Sequence, residues 1–310
     1  MKKDPHQPLV SIITPLFNQE TYVDEAIVSV INQTYANWEL ILVNDGSTDK
    51  STEIAKKYAA RYPEKIVYVE HENFLNKGIS ASRNLGLQKS NGRFLAFLDA
   101  DDIYLPKKLE SQMSILLAHP SAAMLYSSTE YWYSWTRNPE DQEKDRIWSL
   151  FGVVPDQLLH PPVLLTVFLN NVSAIPCMGS LLLRKEALED TGGWESSFRG
   201  LYEDQVLYSK IAFKYPIFVS SGCWDKYRQH PASMCHTAKK DGQIDSAKYT
   251  YLIWLKNYLT NGGAAPDRAV RKALQNALLP FHYPFLNTLK MLKINIWLHV
   301  KKHIKRYLFK

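Results

Sequence analysis

The chain has 310 residues, 45% of them hydrophobic, 12% aromatic and 22% charged, which suits one large or two small globular domains and excludes a disordered polypeptide. The net charge of +6 is uneven: residues 268–310 hold ten Lys/Arg and no acid, leaving 27 basic and 31 acidic residues, a balance of −4, in 1–267. Three cysteines (Cys177, Cys223, Cys235) without CxxC spacing argue against a disulfide framework or a zinc cluster and for reduced thiols in a cytosolic protein.

The first ~125 residues alternate between two hydrophobic periods. "LVSIIT" (9–14) reads as a strand, and "ETYVDEAIVSVINQT" as a helix with Val23, Ala26, Ile27, Val30 and Ile31 on one stripe. "WELILVN" (38–44) is a second strand ending in the turn "DGSTD", after which Ser47 or Thr48 is expected to cap a helix running to about Tyr62. "KIVYVE" (65–70), a helix near 79–90 and "GRFLAFLD" (92–99) follow. This alternation predicts an α/β layer with a largely parallel sheet, whose ligands bind at the carboxyl ends of the strands. Asp45 and Asp99 stand at two such ends.

Residues 129–176 are irregular, rich in Tyr, Trp and Pro, and read as a loop-rich insertion with short helices. "MGSLLLRKEAL" predicts a strand entering a helix, and "GLYEDQVLYSKIAFKYPIFVSSG" a helix followed by an edge strand. Beyond about 240 the pattern is helical, broken at Pro266, Pro280 and Pro284. No apolar run reaches the ~18 residues of a membrane span, and no secretory leader is expected.

The chain lacks Gly-x-Gly, GxxxxGK[ST] and GxSxG, so the dinucleotide fingerprint, the P-loop and the hydrolase elbow are excluded. "FLDADDIYLP" places Asp99, Asp101 and Asp102 within four positions. Two carboxylates about 4 Å apart repel by roughly 4 kcal/mol near a protein surface. Two explanations stay open from the residues alone. Asp102 caps a helix starting near Pro106 while its neighbours are solvated, or Asp99-Ala100-Asp101 is a D-x-D site for a hard divalent ion that bridges to phosphate oxygens.

"LVSIITPLFNQETYVDEAIVSVINQTYANWELILVNDGSTDKS", "NKGISASRNLGL", "FLAFLDADD" and "GLYEDQVLYSKI", in that order over roughly 9–230, resemble family 2 of the nucleotide-sugar glycosyltransferases. The resemblance implies a GT-A fold (Rossmann-like, a mostly parallel central sheet flanked by helices) over 1–240, with an acceptor-side insertion at 129–176 and a helical, basic extension over 241–310. It implies a nucleoside pocket at Pro15, Asp45 and Arg83, with Asp45 on the uracil of a UDP-sugar, and Asp99 at the ribose or metal. Asp101 would be the principal ligand of Mn²⁺ or Mg²⁺, and His230, in "KYRQHPASM", a third ligand. Asp204 would be the catalytic base of an inverting reaction, beside Glu203. Gly179 is expected where the sugar approaches, and Trp132, Trp135, Trp148 and Trp194 as stacking platforms. "YWYSW" (131–135) and "LHPPVLLTVFLNN" (159–171) are candidate acceptor elements.

The implied activity is transfer to a glycan or lipid-carrier hydroxyl in cell-surface polysaccharide or lipopolysaccharide synthesis, at the cytosolic face of the membrane. Two rivals are a catalytically silent nucleotide-sugar-binding subunit and a sugar nucleotidyltransferase; "TPLFNQE" stands where the latter needs a glycine-rich loop with Arg and Lys. In the tail, Phe285, Leu289, Leu292, Ile296, Val300 and Ile304 form a stripe beside clustered Lys/Arg, with Trp297 and Tyr307. That pattern suits an anionic membrane surface or a helix packed on protein, and no base-reading motif points to nucleic acid.

Overall fold

The computed structural model describes residues 7–261 and 266–283. In chain order β1 (Val10–Leu16), α1 (Val23–Ile31), β2 (Trp38–Asn44), α2 (Ser51–Arg61), β3 (Ile66–Glu70), α3 (Ile79–Lys89) and β4 (Phe94–Phe97) form the parallel half of the sheet. β1 lies between β2 and β4, and β2 pairs with β3, all in parallel. These strands are apolar on both faces because both faces are covered. Ile12, Leu40, Leu42, Phe94 and Ala96 enter one core with α1 and α2. Ile13, Ile41, Val43, Leu95 and Phe97 enter the other. Pro15 cannot donate to a ladder, and β4 stops opposite Ile13, so Pro15 lies past the end of that pairing.

The second half comprises β5 (Ile103–Tyr104), α4 (Lys108–Ala118), β6 (Met124–Trp132), α5 (Pro139–Gln142), β7 (Arg146–Trp148), β8 (Gln157–Leu159), α6 (Val163–Leu169), β9 (Leu182–Arg184), α7 (Lys185–Asp190), α8 (Glu203–Lys214), β10 (Ile217–Arg228), α9 (Met234–Lys240), α10 (Ile244–Asn261) and α11 (Arg268–His282). The main strand order is β3-β2-β1-β4-β9-β6-β10-β5. β9 is antiparallel to both neighbours, β4 and β6, so it splices the first parallel block to the parallel pair β6–β10. The result is a mixed parallel and antiparallel sheet flanked by helices.

Several local expectations change. α2 has its first amide bound by Asp49 Oδ1 (3.0 Å to Ser51 N), not by Ser47 or Thr48. Residues 103–104 form a strand, and α4 starts only at Lys108. Asp102 caps nothing: it is buried and accepts the Arg228 amide. β10 is no edge strand, since it pairs with β6, β8 and β5. Much of "LHPPVLLTVFLNN" is the helix α6, whose Leu164, Leu165, Phe168 and Leu169 are core residues.

α10 and α11 enter the same core: Tyr251, Leu252, Leu255, Leu259, Val270, Ala273, Leu274 and Leu278 are buried with Val206 and Leu207 of α8. The predicted membrane-facing stripe from Phe285 to Ile304, with Trp297 and Tyr307, lies outside the described residues. Among the described residues no helix is long and apolar enough to cross a membrane.

Candidate functional site

The carboxyl ends of β2 and β4 and the start of α8 bring three groups of polar side chains together. The first is built on the turn after β2. Gly46 has φ +79°, and a Cβ there would stand 2.6 Å from the Phe74 carbonyl, so the turn and the 71–78 loop pack only around glycine. Buried Asp45 then accepts the amides of Lys77 (2.7 Å) and Gly78 (3.0 Å). His71 Nε2 lies 3.6 Å from its Oδ1. Burial lowers the His71 imidazole below its ordinary range, with Asp45 opposing. Gly78 is the residue preceding α3, so Asp45 fixes the start of the helix that carries Arg83.

Arg83 is the centre of the second group. It is fully buried, donates to Asp99 Oδ1 (2.7 Å) and to Glu203 Oε1 (3.1 Å), and its guanidinium lies 4.5 Å from the Trp194 ring. Two residues more than a hundred positions apart, at the end of β4 and the start of α8, are thereby joined by one cation. Tyr202, in the left-handed region at φ 69°, turns the chain into α8, and Glu203 and Asp204 occupy its first turn, where the helix dipole favours negative charge. Burial nevertheless dominates. It pushes the Glu203 carboxyl up to about 8, with Asp204 adding to it, and the Asp204 carboxyl up to about 6, with Asp99 adding and the Gln205 amide and Arg83 opposing. Asp99 is raised by burial and by Asp101, against Arg83.

The third group links two tripeptides. Asp101 Oδ2 and His230 Nε2 are 3.1 Å apart. Arg228 Nε donates to the Asp101 carbonyl (2.7 Å), and the Arg228 amide donates to Asp102 Oδ1 (2.8 Å). The same guanidinium reaches Glu25 (2.6 Å) and lies against Trp132 (4.4 Å) and Tyr22 (4.9 Å). Arg228 was not singled out by the sequence, although it stands two residues before His230 in "KYRQH". It fastens the loop after β4 to the end of β10.

Among the described residues no cluster of three or more His, Cys, Asp or Glu forms a ready metal cage. The Asp101–His230 pair does fit two corners of a coordination sphere, because donors about 2.1 Å from one ion at right angles are about 3 Å apart. His230 is buried and its Nδ1 has no partner.

Two expected substrate residues are placed differently. Trp194 is 3% exposed, covered by Arg83 on one side and packed edge-on to Phe97 at 5.5 Å, so it supports the guanidinium and offers no open face. Gly179 is buried, and a Cβ there would stand 3.0 Å from Asp225 Oδ2. Its lack of a side chain therefore makes room for Asp225. That carboxyl is pushed up to about 7 by burial, against the buried ammonium of Lys108. Pro15 is half-buried at the end of β1. Trp132 stacks on Arg228, Trp135 donates to the Gln229 carbonyl (2.9 Å), and Trp148 is 38% exposed.

The sequence profile of glycosyl transferase family 2 matches residues 11–192. Over 111 residues, 35% of this chain and 12% of the relative, the chain is 45% identical to the minor teichoic acid biosynthesis protein GgaB of Bacillus subtilis. Crystalline S. aureus TarS 1–349 with UDP-GlcNAc superimposes with a TM-score of 0.65 at 19% identity, covering 88% of this chain and 73% of that one. The mannosyltransferase PcManGT of Pyrobaculum calidifontis with GDP-Man and Mn²⁺ gives 0.53 at 18% identity, covering 92% and 84%. The chain spans less than half the length of the curated relatives it matches, 44% for a Haemophilus influenzae glycosyltransferase.

Proposed function

Because the chain belongs to glycosyl transferase family 2, we propose that it is an inverting enzyme that moves a sugar from a UDP-sugar to the hydroxyl of a glycan or lipid-linked acceptor. The observation that carries this reading is the Arg83 bridge. It ties Asp99, at the start of the D-x-D loop, to Glu203, the chain neighbour of Asp204, a half-buried carboxyl whose proton affinity is raised by burial. Pro15, Asp45 and Asp99 hold the nucleoside, with Asp45 locked by two amides so that its orientation is fixed before substrate arrives, and the expected role of Arg83 is exerted through Asp99, because its own side chain is fully buried. Asp101 and His230 are the residues that would hold Mn²⁺ or Mg²⁺. When bound, the ion offsets the negative charge that grows on the leaving diphosphate.

The step itself is a single displacement. The acceptor oxygen forms a bond to the anomeric carbon, the bond from that carbon to the diphosphate oxygen breaks, and UDP leaves with the electron pair. Asp204 takes the hydroxyl proton. Attack from the side opposite the leaving group inverts the anomeric centre. GgaB is named for teichoic acid biosynthesis, which supports a cell-surface polymer as the product.

Two measurements test this reading. Removing Asp101 deletes a charged contact worth about 1.5–3 kcal/mol, so Asp101→Ala is expected to weaken Mn²⁺-dependent UDP binding by at least ~10-fold in calorimetry. Equal affinity in both proteins removes Asp101 from the ion's site. The pH profile tests the base. With the Asp204 carboxyl at about 6, kcat/KM is expected to rise with pH through that value and then level, since only the ionised form accepts a proton. A profile flat from about pH 5 to 8 contradicts the assignment. The same shift means that the folded state holds this proton more tightly than the unfolded chain. The Asp204 contribution to stability therefore falls as pH rises from about 4 through about 6.

A further inference from the structure

A groove of about 650 Å³ lies between α10 and α11, apart from the three polar groups. Its floor is apolar, formed by Leu259, Leu274, Leu278 and Leu279. The first three are buried members of the core shared with α8, whereas Leu279 is 40% exposed. A recess of this volume can take a small molecule or one end of an amphiphile.

The rim is basic. Lys256 of α10 and Arg271 and His282 of α11 line it, all three are exposed, and no Asp or Glu stands among the described lining residues. Among the described residues the side chains of Lys256 and Arg271 have no hydrogen bond or ion pair. Asp267, four residues before Arg271, accepts the Ala269 amide (2.6 Å) at the start of α11. Arg271, Leu274, Leu278 and His282 recur at helical spacing, so one face of α11 carries leucines between basic side chains.

The two halves of the groove call for different parts of one occupant. An apolar chain covers the leucines, and an anion answers Lys256 and Arg271. A nucleic acid would leave the floor uncovered. The 27 residues that follow Tyr283 contain seven Lys/Arg and no acid, so the chain's own end would bring like charge to the rim. That basic segment begins directly after α11 and needs the same counter-charge as the groove. A bilayer with anionic headgroups supplies both the acyl chain and the negative surface.

We infer that the α10–α11 groove is a docking site for an anionic phospholipid, with an acyl chain on the leucines and the phosphate at Lys256 and Arg271. This goes beyond the glycosyltransferase reading and does not depend on it. The test sediments the full-length protein with vesicles of equal parts phosphatidylglycerol and phosphatidylcholine, and with phosphatidylcholine alone. Binding is expected to be at least ~10-fold tighter to the anionic vesicles. Lys256→Gln/Arg271→Gln is expected to weaken that binding about 30-fold, two charges at about 1 kcal/mol each near an anionic surface. Leu279→Gln should weaken it as well, by removing apolar contact. All three side chains are exposed, and an unchanged melting temperature reports that the fold is intact.

Phosphatidylglycerol with a photoreactive acyl chain locates the contact, and its label is expected in peptides covering 256–260 and 271–282. Equal binding to the two vesicles, equal binding of the double variant and wild type, or label confined to 284–310 would each overturn the groove as the lipid site. A vesicle-free dimer that dissociates in the double variant would assign the groove to a second copy of the chain instead. Sugar transfer is read separately, by UDP release from UDP-sugars, so failure of the lipid site and failure of the enzyme reading are distinct results.

Discussion

Asp204→Asn is expected to lower kcat by about 10²–10⁴-fold, the usual worth of a positioned general base, with the donor KM held within about threefold. The amide fills the same space at the start of α8 and cannot take a proton. If Asp204 acts only in the transition state, kcat and kcat/KM must fall together. The rise of rate through about pH 6 must also vanish, because the group that titrates there is gone. Glu203→Gln is the matched control. Glu203 holds Arg83 and is given no proton to move, so its loss should leave the pH profile in place. A kcat reduced less than about tenfold in Asp204→Asn would assign proton removal to another group.

Arg83→Met is expected to produce the largest loss of stability. The side chain is fully buried and pairs with the Asp99 carboxylate and the Glu203 carboxyl group. Removing one partner of such a pair leaves charge without compensation, at about 3–5 kcal/mol. Asp99 keeps contact with solvent, its side chain being 32% exposed, so the lower end applies. A drop of about 3 kcal/mol corresponds to a melting temperature lower by roughly 4–6 °C for a chain of this length. The sign of the pH dependence is fixed by the same pairing. Protonating Asp99 removes the unpaired charge, so the deficit relative to wild type should shrink as the pH falls. Melting curves at two pH values measure both effects, and a loss below about 2 °C at neutral pH would show that the bridge is energetically idle.

The parallel half of the fold was legible because each element carries its own signal. Ile12-Ile13, Leu40-Ile41-Leu42-Val43 and Leu95-Ala96-Phe97 are apolar runs of strand length. Val23, Ala26, Ile27 and Val30 lie on one helical stripe, and Asp45-Gly46 marks a turn. The candidate residues Asp99, Asp101 and His230 could be named because acidic residues at strand ends and a late histidine match a family pattern. What joins them could not be read. Arg83 to Glu203 and Asp101 to Arg228 are contacts between residues more than a hundred positions apart, and no local period encodes them.

Local signals also misled where a distant partner outbid them. Pro106 after Asp102 reads as a capped helix start, yet the Arg228 amide claims the Asp102 carboxylate and the helix waits until Lys108. Trp194 reads as a surface for sugar because composition cannot distinguish an open ring from one covered by a guanidinium. Gly179 reads as a place of close approach, which it is, but the approaching atom belongs to Asp225.

The way α10 and α11 share a core with α8 has a practical corollary. The stretch that matches the family profile stops at residue 192, short of Asp204, and Val206 and Leu207 pack with Leu252, Leu255 and Leu274. A gene fragment cut to the homologous segment, or trimmed just past α9, would therefore strip the greasy backing from the very helix that presents the proton acceptor. Such a product should misfold or clump rather than act as a minimal catalyst.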